Sequence, residues 1–151
     1  MMTALEFLKR PMIIERRLNA ALRKVELYKS LTERVTVSLG GETVSRSRDM
    51  TANETAIIRL MEAEDTVLTL RAEYMKIVDE TTDMLSCLTE DFGEEILFLH
   101  YVKKKTFREI GKELFIGHSQ TFEHHDMALR ELDALLDEKS GQNRTKSDKT
   151  G

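Results

Sequence analysis

TFREIGKELFIGHSQTFEHHDMALREL, residues 106–132, carries the apolar spacing and the punctuation of two short helices joined by a tight turn. Thr106 is followed three residues on by Glu109. The hydroxyl can accept from the Glu109 N–H while the carboxylate reaches back to the Thr106 N–H, a capping box that starts a helix. Phe107, Ile110 and Leu114 then recur at steps of three and four, one buried stripe with Arg108, Lys112 and Glu113 on the other side. Phe115-Ile116-Gly117 supplies the break, with Gly117 free to adopt a left-handed backbone or to cap, and Ser119 as a second capping hydroxyl. In the second helix Thr121 or Phe122, then Ala128, Leu129, Leu132 and Leu135 or Leu136, return to the same core. His118, Gln120, Glu123 and His125 are left pointing outward.

Upstream, the pattern has another period. Ile14, Leu18, Ala21, Val25, Tyr28 and Val35 alternate steps of four and three, with Thr32 in the one polar place, which is a heptad seam. Ala56, Leu60, Ala63, Val67, Leu70, Tyr74, Ile77, Thr81, Met84 and Leu88 repeat the alternation in a second long helix opened by Asn53 and Glu54. Between them SLGGETVSRSRD lacks a periodic face, so residues 38–51 read as a flexible connector. Pro11 predicts a short helix, a bend and then a long one. Two seams predict either a hairpin or pairing between chains. The further apolar positions Leu22, Leu31, Ile58, Met61, Leu68 and Met75 predict a homodimer.

Composition agrees with an all-α fold. Charged residues make up 33% of the 151 and aromatics 6%, which suits long helices better than a thick enclosed core. The single cysteine, Cys87, cannot form an internal disulfide and reads as a small core residue in a reducing compartment. With no apolar run long enough for a bilayer and no leader pattern, the expectation is a cytoplasmic protein without membrane contact. The domains expected are a helical coiled-coil or dimerisation region over 1–89, a helix-turn-helix unit over 90–138 whose third leg contains Ile96, Leu97, Leu99 and Val102, and a disordered polar tail over 139–151.

The run Tyr101, Lys105, Thr106, Glu109, Ile110, Gly111, Glu113 and Leu114, followed by Ala128, Leu129 and Leu132, resembles region four of bacterial sigma factors. More closely, the chain resembles the phage-encoded sigma-region-four-like proteins, including late-operon activators of the ArpU and RinA kind. About the last third of the chain carries the match. The resemblance implies a phage or prophage transcription regulator in the host cytoplasm that binds double-stranded promoter DNA and acts with host RNA polymerase. Three departures stand out. The family has glycine where this chain has Phe115, a capping serine or threonine where it has Gly117, and arginine or lysine along the outer recognition face. From residue 91 to 138 six cations face eleven acids, a net −5 that works against phosphate affinity. An acidic face suits a second reading, a protein that binds and inhibits a host nucleic-acid-processing factor such as a CRISPR effector.

On the DNA reading, Lys103, Lys104, Lys105, Thr106 and Arg108 are candidate phosphate contacts, because the first helix of such a motif crosses the backbone. His118, Ser119, Gln120, Phe122 and Glu123 are candidates for base reading: Gln120 for adenine, Glu123 for cytosine, Phe122 for a thymine methyl. The triplet Lys103–Lys105 reads equally well as a solvated loop before a helix. Neither a metal nor another cofactor is expected. Adjacent His124 and His125 point about 100° apart on a helix and do not converge on an ion. The reading is His125 in solvent and His124 at the core edge with a polar partner. No nucleophile-base spacing or phosphate-cradling loop marks an enzyme.

Overall fold

The computed structural model describes residues 2–39 and 46–148. They form α1 (Ala4–Leu39), α2 (Arg46–Leu85), α3 (Gly93–Leu97) running into a π-helical turn at Phe98–Val102, α4 (Phe107–Leu114) and α5 (His118–Asp148), with no strand among the described residues. The fold is all-α, a long helical hairpin followed by a smaller helical unit. Two compact units are distinguished, Ile14–Tyr74 and a second made of Met1–Ile13 with Met75–Gly151.

In the unit Ile14–Tyr74 the two seams meet within the chain. Ile14, Ala21, Ala63 and Val67 are buried, and Leu18, Val25, Tyr28, Leu60, Leu70 and Tyr74 are half-buried. Alanine at the crossing lets the backbones approach closely. The pairing is antiparallel: Arg17 and Ala21 line a crevice with Leu70, whereas Tyr28, further along α1, shares one with Arg59 and Glu62, earlier on α2. Two expectations change here. Asn53 is not a cap, because α2 already begins at Arg46, and its buried Oδ1 has no hydrogen-bond partner. Ser38 and Leu39 belong to α1 and residues 46–51 to α2, and the rest of the expected connector, residues 40–45, lies outside the described residues.

The other unit is assembled from both ends of the chain. Thr3 and Glu6 form the full capping box, Glu6 N–H to Thr3 Oγ1 at 3.2 Å and Thr3 N–H to Glu6 Oε2 at 3.1 Å. Ala4 N–H donates to Asp133 Oδ1 on α5 at 2.6 Å. Ala4, Phe7 and Leu8 are thereby held in one core with Met84, Leu85, Leu97, Ala128 and Leu132. Pro11 breaks nothing: α1 runs unbroken through it, and the ring is fully buried, so apolar burial offsets the lost N–H. Gly93 sits tight against α5, where a Cβ would come within 2.9 Å of the Ala128 Cβ. The compact unit therefore takes in more of the chain than residues 90–138.

The break between α2 and α3 is held by one carboxylate. Glu131 accepts from Thr89 N–H at 2.5 Å, Thr89 Oγ1 at 2.7 Å and Glu90 N–H at 3.1 Å. Burial pushes its pKa up, but those three bonds outweigh it and hold the group below the usual carboxylate range. Cys87, expected in the core, is exposed and directs its thiol to the Asp83 carbonyl, since α2 ends at Leu85 and Cys87 lies in the turn that follows. Of the tail expected over 139–151, residues 139–148 are helical. α5 continues to Asp148, because extending a helix already nucleated by a packed segment costs little and no proline intervenes. Residues 149–151 lie outside the described residues.

Candidate nucleic-acid interface

α4 and α5 are joined by Phe115-Ile116-Gly117, as the spacing requires. Thr106 caps α4 by accepting from Glu109 N–H at 3.2 Å, which is the first half of the expected box. Of the stripe, Ile110 is fully buried and Phe107 and Leu114 are half-buried. The helices come close because position 111 is glycine: a Cβ there would lie 3.1 Å from both the Ile116 carbonyl and the Thr121 hydroxyl. Thr121, not Phe122, is the inward residue of the second helix, and its hydroxyl donates to the Gly117 carbonyl at 2.9 Å.

The turn itself corrects the sequence reading. Phe115, not Gly117, takes the left-handed conformation, with φ 58° and ψ 41°, and its N–H closes on the Gly111 carbonyl. The side chain is 94% exposed. A β-carbon in that region costs roughly 1–2 kcal/mol that glycine would not incur, and no burial of the ring offsets it.

Behind the exposed face lies a cluster of rings. His100 stacks on Phe107 at 4.2 Å between centroids, Phe107 meets Phe122 at 4.5 Å, and Tyr101 stacks on His125 at 5.8 Å. The π-helical turn belongs to this arrangement, with Lys103 N–H bonding five residues back to Phe98. His125, expected in solvent, is only 8% exposed. Its Nδ1 pairs with Asp126 Oδ1 at 3.2 Å, so that nitrogen carries the proton and Nε2 accepts from the Tyr101 hydroxyl at 2.9 Å. Burial pushes the His125 pKa down, with Asp126 only partly restoring it and His100 adding to the fall. Tyr101 is pushed up by burial and by the Asp126 charge, the opposite of what a phenolate nucleophile needs. His124 stands at the core edge and pairs with Glu90.

Chemically, the candidate contacts are unequal. Lys103, Lys104 and Arg108 are exposed, whereas Lys105 is half-buried and engaged with Glu113 at 2.6 Å. Lys104 has a left-handed backbone, φ 60°. His118, Ser119, Gln120 and Glu123 are exposed, and Phe122 is 41% exposed with His118 edge-on at 4.9 Å. Gln120 Oε1 already accepts the Gly117 N–H at 3.2 Å, so only its amide nitrogen is free of that duty. Arg108, Lys112 and His118 line an open groove of about 380 Å³ with Phe107, Gly111 and Ile116.

Compared with known proteins, the chain matches no family model, no curated protein and no solved structure. Its function is therefore argued from this geometry. Lys112 and Phe115 were not among the expected contacts; the glycine missing from the turn was the available signal for Phe115, and only the groove picks out Lys112. Among the described residues no group of three or more His, Cys, Asp or Glu could hold a metal ion. No helix among them is long and apolar enough to cross a membrane.

Proposed function

We propose that the protein is a DNA-binding regulator of the phage type, which docks α5 in the major groove of promoter DNA and acts there with host RNA polymerase. One observation carries the reading. The tight α4–turn–α5 packing leaves His118, Ser119, Gln120 and Glu123 together on the bare side of the second helix, with Arg108 and Lys112 beside His118 in the adjoining groove. Such a face positions a recognition helix while the cations hold phosphates. Affinity of a single copy is expected to be low, because Glu123 and Asp126 are both exposed on α5 and Lys105 is tied to Glu113.

A salt titration of duplex binding tests it, with Lys103, Lys104 and Arg108 changed to alanine in one variant. Affinity should fall steeply with salt, and the slope should shrink by about two to three in the variant. Absence of duplex binding at about 100 μM protein in low salt would remove the proposal, since ordinary nonspecific binders are seen well below that.

The bare, strained Phe115 favours a second reading, an inhibitor that binds a host nucleic-acid-processing protein. An exposed aromatic held in a costly backbone conformation is the kind of anchor protein interfaces use. Phe115→Gly separates the two: loss of a protein partner with duplex binding intact supports this reading, and loss of duplex binding supports the first.

A further inference from the structure

The face of α2 turned away from the intrachain seam has its own period. Ile58, Met61, Asp65, Leu68 and Ala72 advance by three, four, three and four, and Ile58, Met61 and Leu68 are 54%, 59% and 62% exposed. This row is displaced by two positions, about 200° around the helix, from the buried seam of Leu60, Ala63, Val67 and Leu70. A helix with two such rows on opposite sides is built to be paired twice. α1 fills one side.

We propose that the second side pairs with α2 of another copy of this chain, antiparallel, in the register that sets Asp65 beside Leu68 of the second copy and Met61 beside its Ala72. Charge and polarity choose that occupant and that direction. In a parallel pair Asp65 would meet its own counterpart inside the seam, a like-charge contact in a desolvated layer. Turned antiparallel, each Asp65 meets leucine at the edge of the stripe, from which its carboxylate can reach water. The flanking positions then fall into place: Glu64 faces Arg71 of the second copy, and Arg71 faces its Glu64. Among the described residues neither has an ion-pair partner within its own chain, and both are exposed. A patch that satisfies its own charges after a two-fold rotation is what an isologous interface requires.

Sedimentation equilibrium of the full chain reads the outcome, with far-ultraviolet circular dichroism as the folding control. The wild type should be a dimer, and Leu68→Glu should be a monomer with unchanged helicity, because position 68 faces solvent in the single chain. Glu64→Arg should raise the dimer Kd about ten-fold by opposing like charges at two symmetric places. The double variant Glu64→Arg with Arg71→Glu should bring the Kd back toward wild type, since an antiparallel pair merely exchanges the two ends of each ion pair. A monomeric wild type at about 100 μM would overturn the proposal. So would a dimer that tolerates Leu68→Glu, or one that the charge swap fails to restore.

Discussion

The helical hairpin of Ile14–Tyr74 and the ring-lined unit containing α4 and α5 hide apolar surface in different ways. In the hairpin the buried residues recur along one row of each helix, Ile14 and Ala21 a heptad apart on α1 and Ala63 and Val67 a turn apart on α2, with small side chains such as Ala21 and Ala63 among them. In the other unit Leu8, Leu85, Ile96, Leu97, Ile110 and Leu132 come from five helices and share no period. A repeated seam spreads its stability along its length, whereas a shared core concentrates it. Damage to one layer should therefore be tolerated in the first and felt throughout the second.

The contrast breaks most plainly under truncation. Leu132→Ala is expected to destabilise the core of α5 by about 3 kcal/mol or more, against about 1–2 kcal/mol for Val67→Ala in the seam; chemical denaturation of both variants measures the gap. Equal losses would show that the hairpin and the core are one cooperative system. Next in size is Gly93→Ala, which pushes a methyl to within contact of Ala128 and should cost about 1–3 kcal/mol. A neutral result would mean that α3 slides along α5 without penalty.

A smaller effect of opposite sign belongs to the turn. Phe115→Gly removes left-handed strain without removing packing, so the melting temperature should rise, corresponding to about 0.5–1 kcal/mol of added stability. A fall in melting temperature would mean that the exposed ring packs in solution.

Acid should act on the ring-lined unit and spare the seam. The folded pKa of His125 lies below its ordinary 6.5, so on acidification the unfolded chain takes up that proton first. His125 thus supplies stability that is complete above pH 6.5 and is lost as pH falls through 6.5 toward the folded value. Glu131, also lowered, adds a second loss as pH falls through 4.5, its ordinary value, toward its folded value. Denaturation midpoints across this range should fall with pH in the wild type, and His125→Phe should flatten the upper part. An unchanged profile in that variant would mean that the imidazole is not buried in solution.

Much of this was legible in the chain. Most seam positions of the two long helices, α4 and the Thr106 cap follow from local spacing, which depends only on helix geometry; Ser119, expected as a cap, lies inside α5, and Leu88 falls beyond the end of α2. Two of the errors share a cause. His125 was placed in solvent and Cys87 in the core because helical periodicity gives an angle but not what lies opposite it. Gly117 was read as either left-handed or a cap because glycine is the usual choice there, and the left-handed conformation falls on Phe115 instead. Among candidate contacts, Lys105 and Gln120 lost part of their availability to Glu113 and Gly117, partners that no spacing rule supplies.

From the sequence alone came the helices, their apolar faces and the break between α4 and α5, since each depends on residues within a turn or two of one another. Tertiary structure decided which seam closes within the chain, that Ala4, Phe7 and Leu8 belong to the core of α5, and that Tyr101, His125 and Asp126 form one hydrogen-bonded line. Those outcomes join residues far apart in sequence, and long-range contact depends on how whole faces fit and which polar groups must find partners once water is gone.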